Sequence, residues 1–268
     1  MIGQTLFKDY LSNWQVPPQF IILNGEVGSG RSTLIDLIKN KFKYQSIICG
    51  ASVEEIREIV SMAYSISSPT FYIFYNGDKL STSAKNALLK VVEEPTKNAF
   101  FIMRTEFGVM ETLKNRAFYY NMHPYSFLEL KEYFSECGKS DLFAKYGEIC
   151  KNIGQIKIFL NSPYEDIIDY CTKIITVIRD VSQGNIFNIP TKLNLGTDST
   201  KWDTTLFVNT LEWALNQKYM ETKDDKYFQA IFRLNSVKLN LRINCVNKQV
   251  AFDNFLLVLK NILLIFHN

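Results

Sequence analysis

The chain is short of the residues on which most hydrolytic, redox and metal chemistry depends. It has two histidines, His123 and His267, far apart in sequence. Neither a Ser-His-Asp relay nor a His-based metal site has support, and each reads as a solvent or boundary residue. Five cysteines, Cys49, Cys137, Cys150, Cys171 and Cys245, include no C-x-x-C pair. Structural zinc is therefore not expected, and a scattered, odd set fits a reducing cytosol. Long apolar runs are missing as well. The most apolar, Phe255 to Phe266, is broken by Lys260 and Asn261 and reads as a packed helix rather than a membrane span. Met1-Ile2-Gly3-Gln4-Thr5 lacks the basic-then-apolar layout of a signal peptide. A net charge of +3 does not by itself indicate nucleic-acid binding and leaves room only for a local basic face.

What is present is an ordinary globular balance, 47% hydrophobic and 21% charged, in a chain long enough for two or three domains. Only 12 glycines occur, yet three of them fall in Gly25-Glu26-Val27-Gly28-Ser29-Gly30-Arg31-Ser32-Thr33. This is the phosphate-loop pattern G-x-x-x-x-G-K-S/T with Arg31 at the lysine. Phe20 to Leu23 before it reads as a buried strand, and Thr33 to Ile38 after it opens a helix. That order places backbone N–H groups around an anion. Gly25, Gly28, Ser29, Gly30, Arg31, Ser32 and Thr33 are thus nucleotide-binding candidates, with Ser32 on the Mg²⁺ side. A planar guanidinium in place of a compact ammonium is expected to hold phosphate without serving the γ-phosphate in hydrolysis.

The pattern around the loop alternates. A helix is expected from Leu6 to Trp14, strands at Tyr44–Cys49, Phe71–Tyr75, Ala99–Met103 and Phe118–Tyr120, and a helix at Val53–Val60 capped by Ser52. Ala84, Ala87, Leu88, Val91 and Val92 form one helical face, capped at Ser81 or Thr82 and stopped by Pro95. This predicts an α/β domain with a parallel sheet and helices on both faces. After His123-Pro124 strand signals cease. Helical patterns run from Ser126 to Phe134, Asp141 to Leu160, Tyr164 to Val181 and Trp202 to the end, with Gly184 to Lys201 as a linker.

Three such parts in this order resemble the bacterial DNA polymerase III clamp-loader AAA+ subunits, delta-prime and gamma/tau. Ile2-Gly3-Gln4 is similar to the family's "IGQ" near the adenine, and Ile56-Arg57-Glu58 to its "IRE" helix. Asp78-Lys79-Leu80 through Ala87-Leu88-Leu89-Lys90 to Glu93-Glu94-Pro95 is similar to "ADKLT…ANALLKxLEEP". Thr105 stands at the sensor-1 position, and Thr112-Leu113-Lys114-Asn115-Arg116 parallels "TIxSR". Asn244 to Asp253 resembles the "NxNxQxALD" collar helix.

The resemblance implies a RecA-like α/β AAA+ domain over residues 1–122, a helical lid over 123–183 and an all-α collar over 184–268. It implies ATP or ADP with Mg²⁺ as ligand, Ile2 and Thr105 in the nucleotide site, Arg116 as an arginine finger acting in trans, and Arg57 on a DNA-facing surface with Lys85, Lys90 and Lys97. The family's zinc module is expected to be absent. The implied partners are gamma/tau-like and delta-like subunits, a sliding clamp and primer-template DNA, in a cytoplasmic hetero-oligomer. Part of the stripe Phe255, Leu256, Leu259, Ile262, Leu263, Phe266 is expected at a subunit seam.

Three departures from the family pattern weaken hydrolysis. Beside Arg31, Tyr75-Asn76 stand where an active enzyme has its acid pair, and Gly154 stands near the sensor-2 arginine. Asp78 is then expected to cap or flank the following helix. Three functions compete: a delta-prime-like stator with little ATPase of its own, a slow ATPase with a degenerate loop, and an AAA+ scaffold serving another process. The collar-like end favours the first two, and the missing acids favour the first.

Overall fold

The computed structural model describes residues 2–178, 193–194, 202–242 and 247–265. Its contacts divide it into two compact units, Met1–Tyr133 with Asn152–Gly154, and Phe134–Lys151 with Gln155–Asn268.

The first unit is the expected parallel α/β layer structure. β1 (Phe20–Asn24), β2 (Gln45–Ile48), β3 (Thr70–Phe74), β4 (Ala99–Thr105) and β5 (Phe118–Asn121) lie in the order β2-β3-β4-β1-β5. Every pairing in this sheet is parallel. Along β4, Phe100 and Ile102 point into one core and Phe101 and Met103 into the other, so both faces are covered. α1 (Thr5–Asn13) and α2 (Arg31–Phe42) cover the first face through Phe7, Leu11, Leu34, Ile35 and Ile38. α3 (Val53–Ser65), α4 (Thr82–Glu93) and α5 (Glu111–Lys114) cover the second through Ile56, Ile59, Leu88, Val91 and Leu113.

Local chemistry sets the helix starts. Ser52 and Glu55 form a reciprocal capping box on α3, and Ser81 rather than Thr82 accepts the Ala84 N–H at 3.1 Å to start α4. β2 is an edge strand with all four residues exposed, Ile48 at 72%. Its apolar residues therefore did not signal burial.

Beyond β5 the helical reading needs correction. α6 (Phe127–Glu136) begins as expected, with Ser126 and Glu129 bonding reciprocally. The single pattern from Asp141 to Leu160 is two helices, α7 (Ser140–Tyr146) and α8 (Ile153–Asn161), parted by a 3-10 turn at Gly147–Ile149. Gly147 permits the break, because a Cβ there would lie 2.7 Å from the Phe143 ring. α9 (Tyr164–Val177) follows. Leu193–Asn194 and Trp202–Asp203 pair as a short parallel ladder, although Gly184 to Lys201 read as a linker and Trp202 as helical. Helix α10 (Thr204–Thr222) starts only after it, where Asp203 accepts the Leu206 N–H at 2.8 Å.

α11 (Asp225–Arg242) packs against both α10 and α12 (Lys248–Ile265). Phe255, Leu256, Leu259 and Leu263 are 3% exposed or less within this unit, so these four are core and not a free seam. Large apolar side chains stand outward instead at Phe228, Phe232 and Leu239 of α11. The rest of the linker, Cys245 with the start of the collar motif, and Phe266 and His267 lie outside the described residues. Among the described residues no helix is long and apolar enough to cross a membrane.

Candidate nucleotide cradle and arginine site

The loop from Gly25 to Gly30 leaves the C-terminal end of β1 and delivers the chain to the N-terminus of α2, where backbone dipoles favour an anion. The chain fills this cradle with its own groups. Arg31 is 7% exposed, and its Nη1 donates to the Thr105 carbonyl, which also accepts the Gly25 N–H at 3.0 Å. The charge that the motif would turn toward phosphate is thus spent on the end of β4. Burial first, and then the like charge of Arg104, push the Arg31 guanidinium below its ordinary value, while Glu106 and Asp78 oppose them.

Arg104 covers Ser32, the residue expected on the Mg²⁺ side. Its Nη1 donates to Ser32 Oγ at 2.7 Å, its Nε to the Tyr75 carbonyl at 2.8 Å, and its guanidinium lies over the Tyr75 ring at 5.1 Å. Sequence reasoning missed this residue. The available signal was a charged side chain at the end of an otherwise apolar strand. A cation approaching Ser32 would meet a guanidinium already there.

Two further segments complete the closure. Gly154 N–H donates to the Gly28 carbonyl at 3.1 Å, and Asn152 Nδ2 to the Val27 carbonyl at 3.2 Å. Gly28 has φ +88°, and a Cβ on it would strike the Asn152 amide and lie 2.9 Å from the Gly154 Cα. A Cβ on Gly154 would in turn run into Gly28. The position near which the resemblance expects a sensor-2 arginine thus has no room for any side chain while this contact lasts. Where the resemblance expects the adenine, Tyr125 donates to the Ser29 carbonyl at 3.1 Å, and its ring fills the space over Gly3. Gln4, two residues after Ile2, is spent on His123 and Tyr120: it donates to the His123 carbonyl at 2.7 Å and accepts from Tyr120 and the His123 N–H. Ile2 itself is buried, whereas Thr33 is exposed at the first turn of α2. These residues, so arranged, do not fit a nucleotide with Mg²⁺.

Asp78 flanks α4 from the turn Gly77–Lys79 and does not cap it. Its carboxylate accepts the N–H groups of Glu106 at 2.8 Å and Phe107 at 3.1 Å, pinning the turn after Thr105. Thr105 Oγ1 and the Gly108 N–H both reach Asn24 Oδ1, at 2.9 and 3.0 Å. The sensor-1 position is therefore part of a hydrogen-bonded lattice over the cradle. Among the described residues, no three His, Cys, Asp or Glu side chains could hold a metal ion.

Arg116 lies at the other end of the sheet. It sits two residues before β5, whose first residue Phe118 pairs beside Ile21 near the start of β1. One strand length, roughly 16 Å, separates that end from Gly25. The Arg116 side chain is 40% exposed and pairs with Glu93 at 2.9 Å. It cannot reach its own cradle. Arg57, Lys90 and Lys97 are exposed and Lys85 is half-buried, but α3 carries Glu54, Glu55 and Glu58 beside Arg57 and so presents no single-sign face.

Residues 26–126 match the family model described as DNA polymerase III, delta subunit. The match supports the clamp-loader family. The matched segment carries the glycine loop from Glu26 onward, Asp78, Arg104, Thr105 and Arg116, and covers less than half of the chain. Among solved structures, a DNA polymerase III, gamma subunit-related protein from Thermotoga maritima is similar over 97% of this chain and 99% of its own, at 15% identity and a TM-score of 0.55. That likeness shows a shared fold over nearly all of both chains. The Thermotoga maritima RuvB Holliday junction branch migration motor is similar over 79% of this chain and 70% of its own, at 15% identity and a TM-score of 0.46. No curated protein sequence matches the chain.

Proposed function

We propose that the chain is a delta-prime-like stator of a clamp loader, a subunit that hydrolyses no ATP itself and lends Arg116 to a neighbouring gamma/tau-like ATPase. The observation that carries this reading is the placement of an exposed arginine at the end of the sheet opposite a cradle filled by Arg31, Arg104, Tyr125 and the Asn152–Gly154 segment. A guanidinium there serves only a phosphate held by another chain. Supplied in trans, such a group is worth about 10³–10⁵ in rate in GTPases.

A delta-like subunit, a sliding clamp and primer-template DNA complete the proposed assembly, with α3 and Arg57 toward the DNA backbone. Contacts of that kind are sequence-independent and weaken with salt. The α10–α12 helices serve as the collar, with the outward Phe228, Phe232 and Leu239 of α11 available for assembly.

The test is co-purification from the host followed by ATPase assay of the recovered complex. A clamp and other loader subunits are expected in the complex, the isolated chain is expected to be inactive, and Arg116→Ala is expected to lower turnover of the complex by about 10²-fold or more. Robust turnover by the isolated chain would instead establish a self-sufficient ATPase and end the stator reading.

A further inference from the structure

Both terminal nitrogens of the Arg116 guanidinium are already engaged within the chain. Nη2 lies 2.9 Å from Glu93 Oε1, and Nη1 donates to the Thr112 carbonyl at 2.9 Å. Glu93 is the last residue of α4 and Thr112 belongs to α5, so two separate elements converge on one exposed side chain. We propose that Glu93 is an autoinhibitory latch on Arg116, and that docking of the neighbouring subunit must part this pair before the arginine can serve that subunit's phosphate. The proposal rests on the stator reading above.

The physical argument is competition for the same face of the guanidinium. Arginine recognises a phosphate through its N–H fork, most strongly when two nitrogens engage at once. Here each Nη donates to this chain, and the carboxylate cancels the positive charge that a γ-phosphate would attract. The strength of the latch suits a switch. The paired side chains are 40% and 47% exposed, and such surface pairs are worth about a two- to fivefold bias in an equilibrium. An incoming phosphate of higher charge outcompetes that, whereas water does not. Arg116 lines a cleft of about 250 Å³ together with Val91, Val92, Pro95 and Phe118. The stem keeps an apolar bed while the head turns, as long cationic side chains do.

The experiment uses the full chain with its co-purified ATPase partner and Mg-ATP, and measures how much of the chain gives half-maximal stimulation of hydrolysis. Glu93→Gln keeps the shape of an exposed helix-end side chain and removes its charge. It is expected to lower the half-stimulating concentration about two- to fivefold, and to change nothing in an Arg116→Ala background. An unchanged or higher half-stimulating concentration for Glu93→Gln, with Arg116→Ala still inactive, overturns the latch and leaves the stator reading standing. If Arg116→Ala stimulates as well as the native chain, the stator reading falls and the latch falls with it.

Discussion

Arg104 Nη1 donates to Ser32 Oγ at 2.7 Å, placing a strand arginine on the hydroxyl that a phosphate loop ordinarily turns toward a metal ion. The same guanidinium bonds the Tyr75 carbonyl at 2.8 Å, at the end of the strand from which the acid pair is missing. One side chain thus joins the start of α2 to the end of β3. Its loss should be felt as stability. Arg104→Met keeps the stem and leaves two acceptors without their charged donor, and is expected to cost about 1–3 kcal/mol in urea unfolding. Arg57→Met, at an exposed position of α3, should stay within about 0.5 kcal/mol.

Closure of the cradle predicts silence toward nucleotide. A ligand at 100 times its Kd adds about 2.7 kcal/mol to the folded state, and Mg-ATP at about 1 mM should leave the melting temperature of the isolated chain unchanged. A reproducible rise in Tm would show that Arg31 and Arg104 give way to phosphate.

The Gly28–Gly154 contact should tolerate no side chain. Gly28→Ala puts a Cβ against Asn152 at φ +88° and is expected to destabilise the first unit by more than about 1 kcal/mol. Gly138→Ala, also at positive φ but with open space around its Cβ, isolates the backbone part of that cost. The difference between their urea midpoints measures the contact.

Tyr72 stacks on Phe101 at 5.2 Å and is fully buried, yet among the described residues its hydroxyl has no hydrogen-bond partner. Tyr72→Phe removes an unpaired polar atom and keeps the ring. Stability should be unchanged or higher by about 1 kcal/mol, read from thermal unfolding. A loss above that range would reveal a partner for the hydroxyl.

Alkaline pH should weaken the fold. Burial pushes the thiols of Cys49 and Cys150 and the phenol of Tyr125 up to about 12. For each, the unfolded state releases its proton at a lower pH than the folded state does. Between the ordinary values of 9.0 and 10.0 and the folded value, the unfolded chain therefore binds fewer protons, and stability falls as pH rises. Urea midpoints should decline steadily above about pH 9, and Cys49→Ser should flatten the slope.

Much of the fold was legible because its signals are local. The alternation of apolar strands with capped helices, the glycines of the loop and the capping pairs Ser52–Glu55 and Ser126–Glu129 act over a few residues, where residue type and spacing decide conformation. The limits of that reading are equally specific. β2 read as an apolar strand, but edge position leaves Ile48 exposed. The Asp141–Leu160 pattern kept its helical period through a break that depends on Gly147 against Phe143. Asp78 read as capping or flanking the following helix; it flanks that helix, and its carboxylate holds the backbone of Glu106 and Phe107, 28 and 29 residues away.

The amino-acid sequence alone determined that a glycine-rich loop of the phosphate-loop pattern stands here, with Arg31 at the lysine position, and that Tyr75-Asn76 follow β3, since each is a matter of residue identity at a known spacing. Only the tertiary structure decided what became of that loop. Arg104 meets Ser32 from 72 positions away, Tyr125 meets Ser29 from 96, and Asn152 meets Val27 from 125. Contacts of that range depend on how the strands are ordered and which helix ends the sheet brings together, and no local pattern encodes them. The opposition of Arg116 to the cradle has the same origin. Parallel pairing puts the end of β1 and the start of its neighbour β5 at opposite ends of the sheet, and the chain cannot bridge them with a side chain.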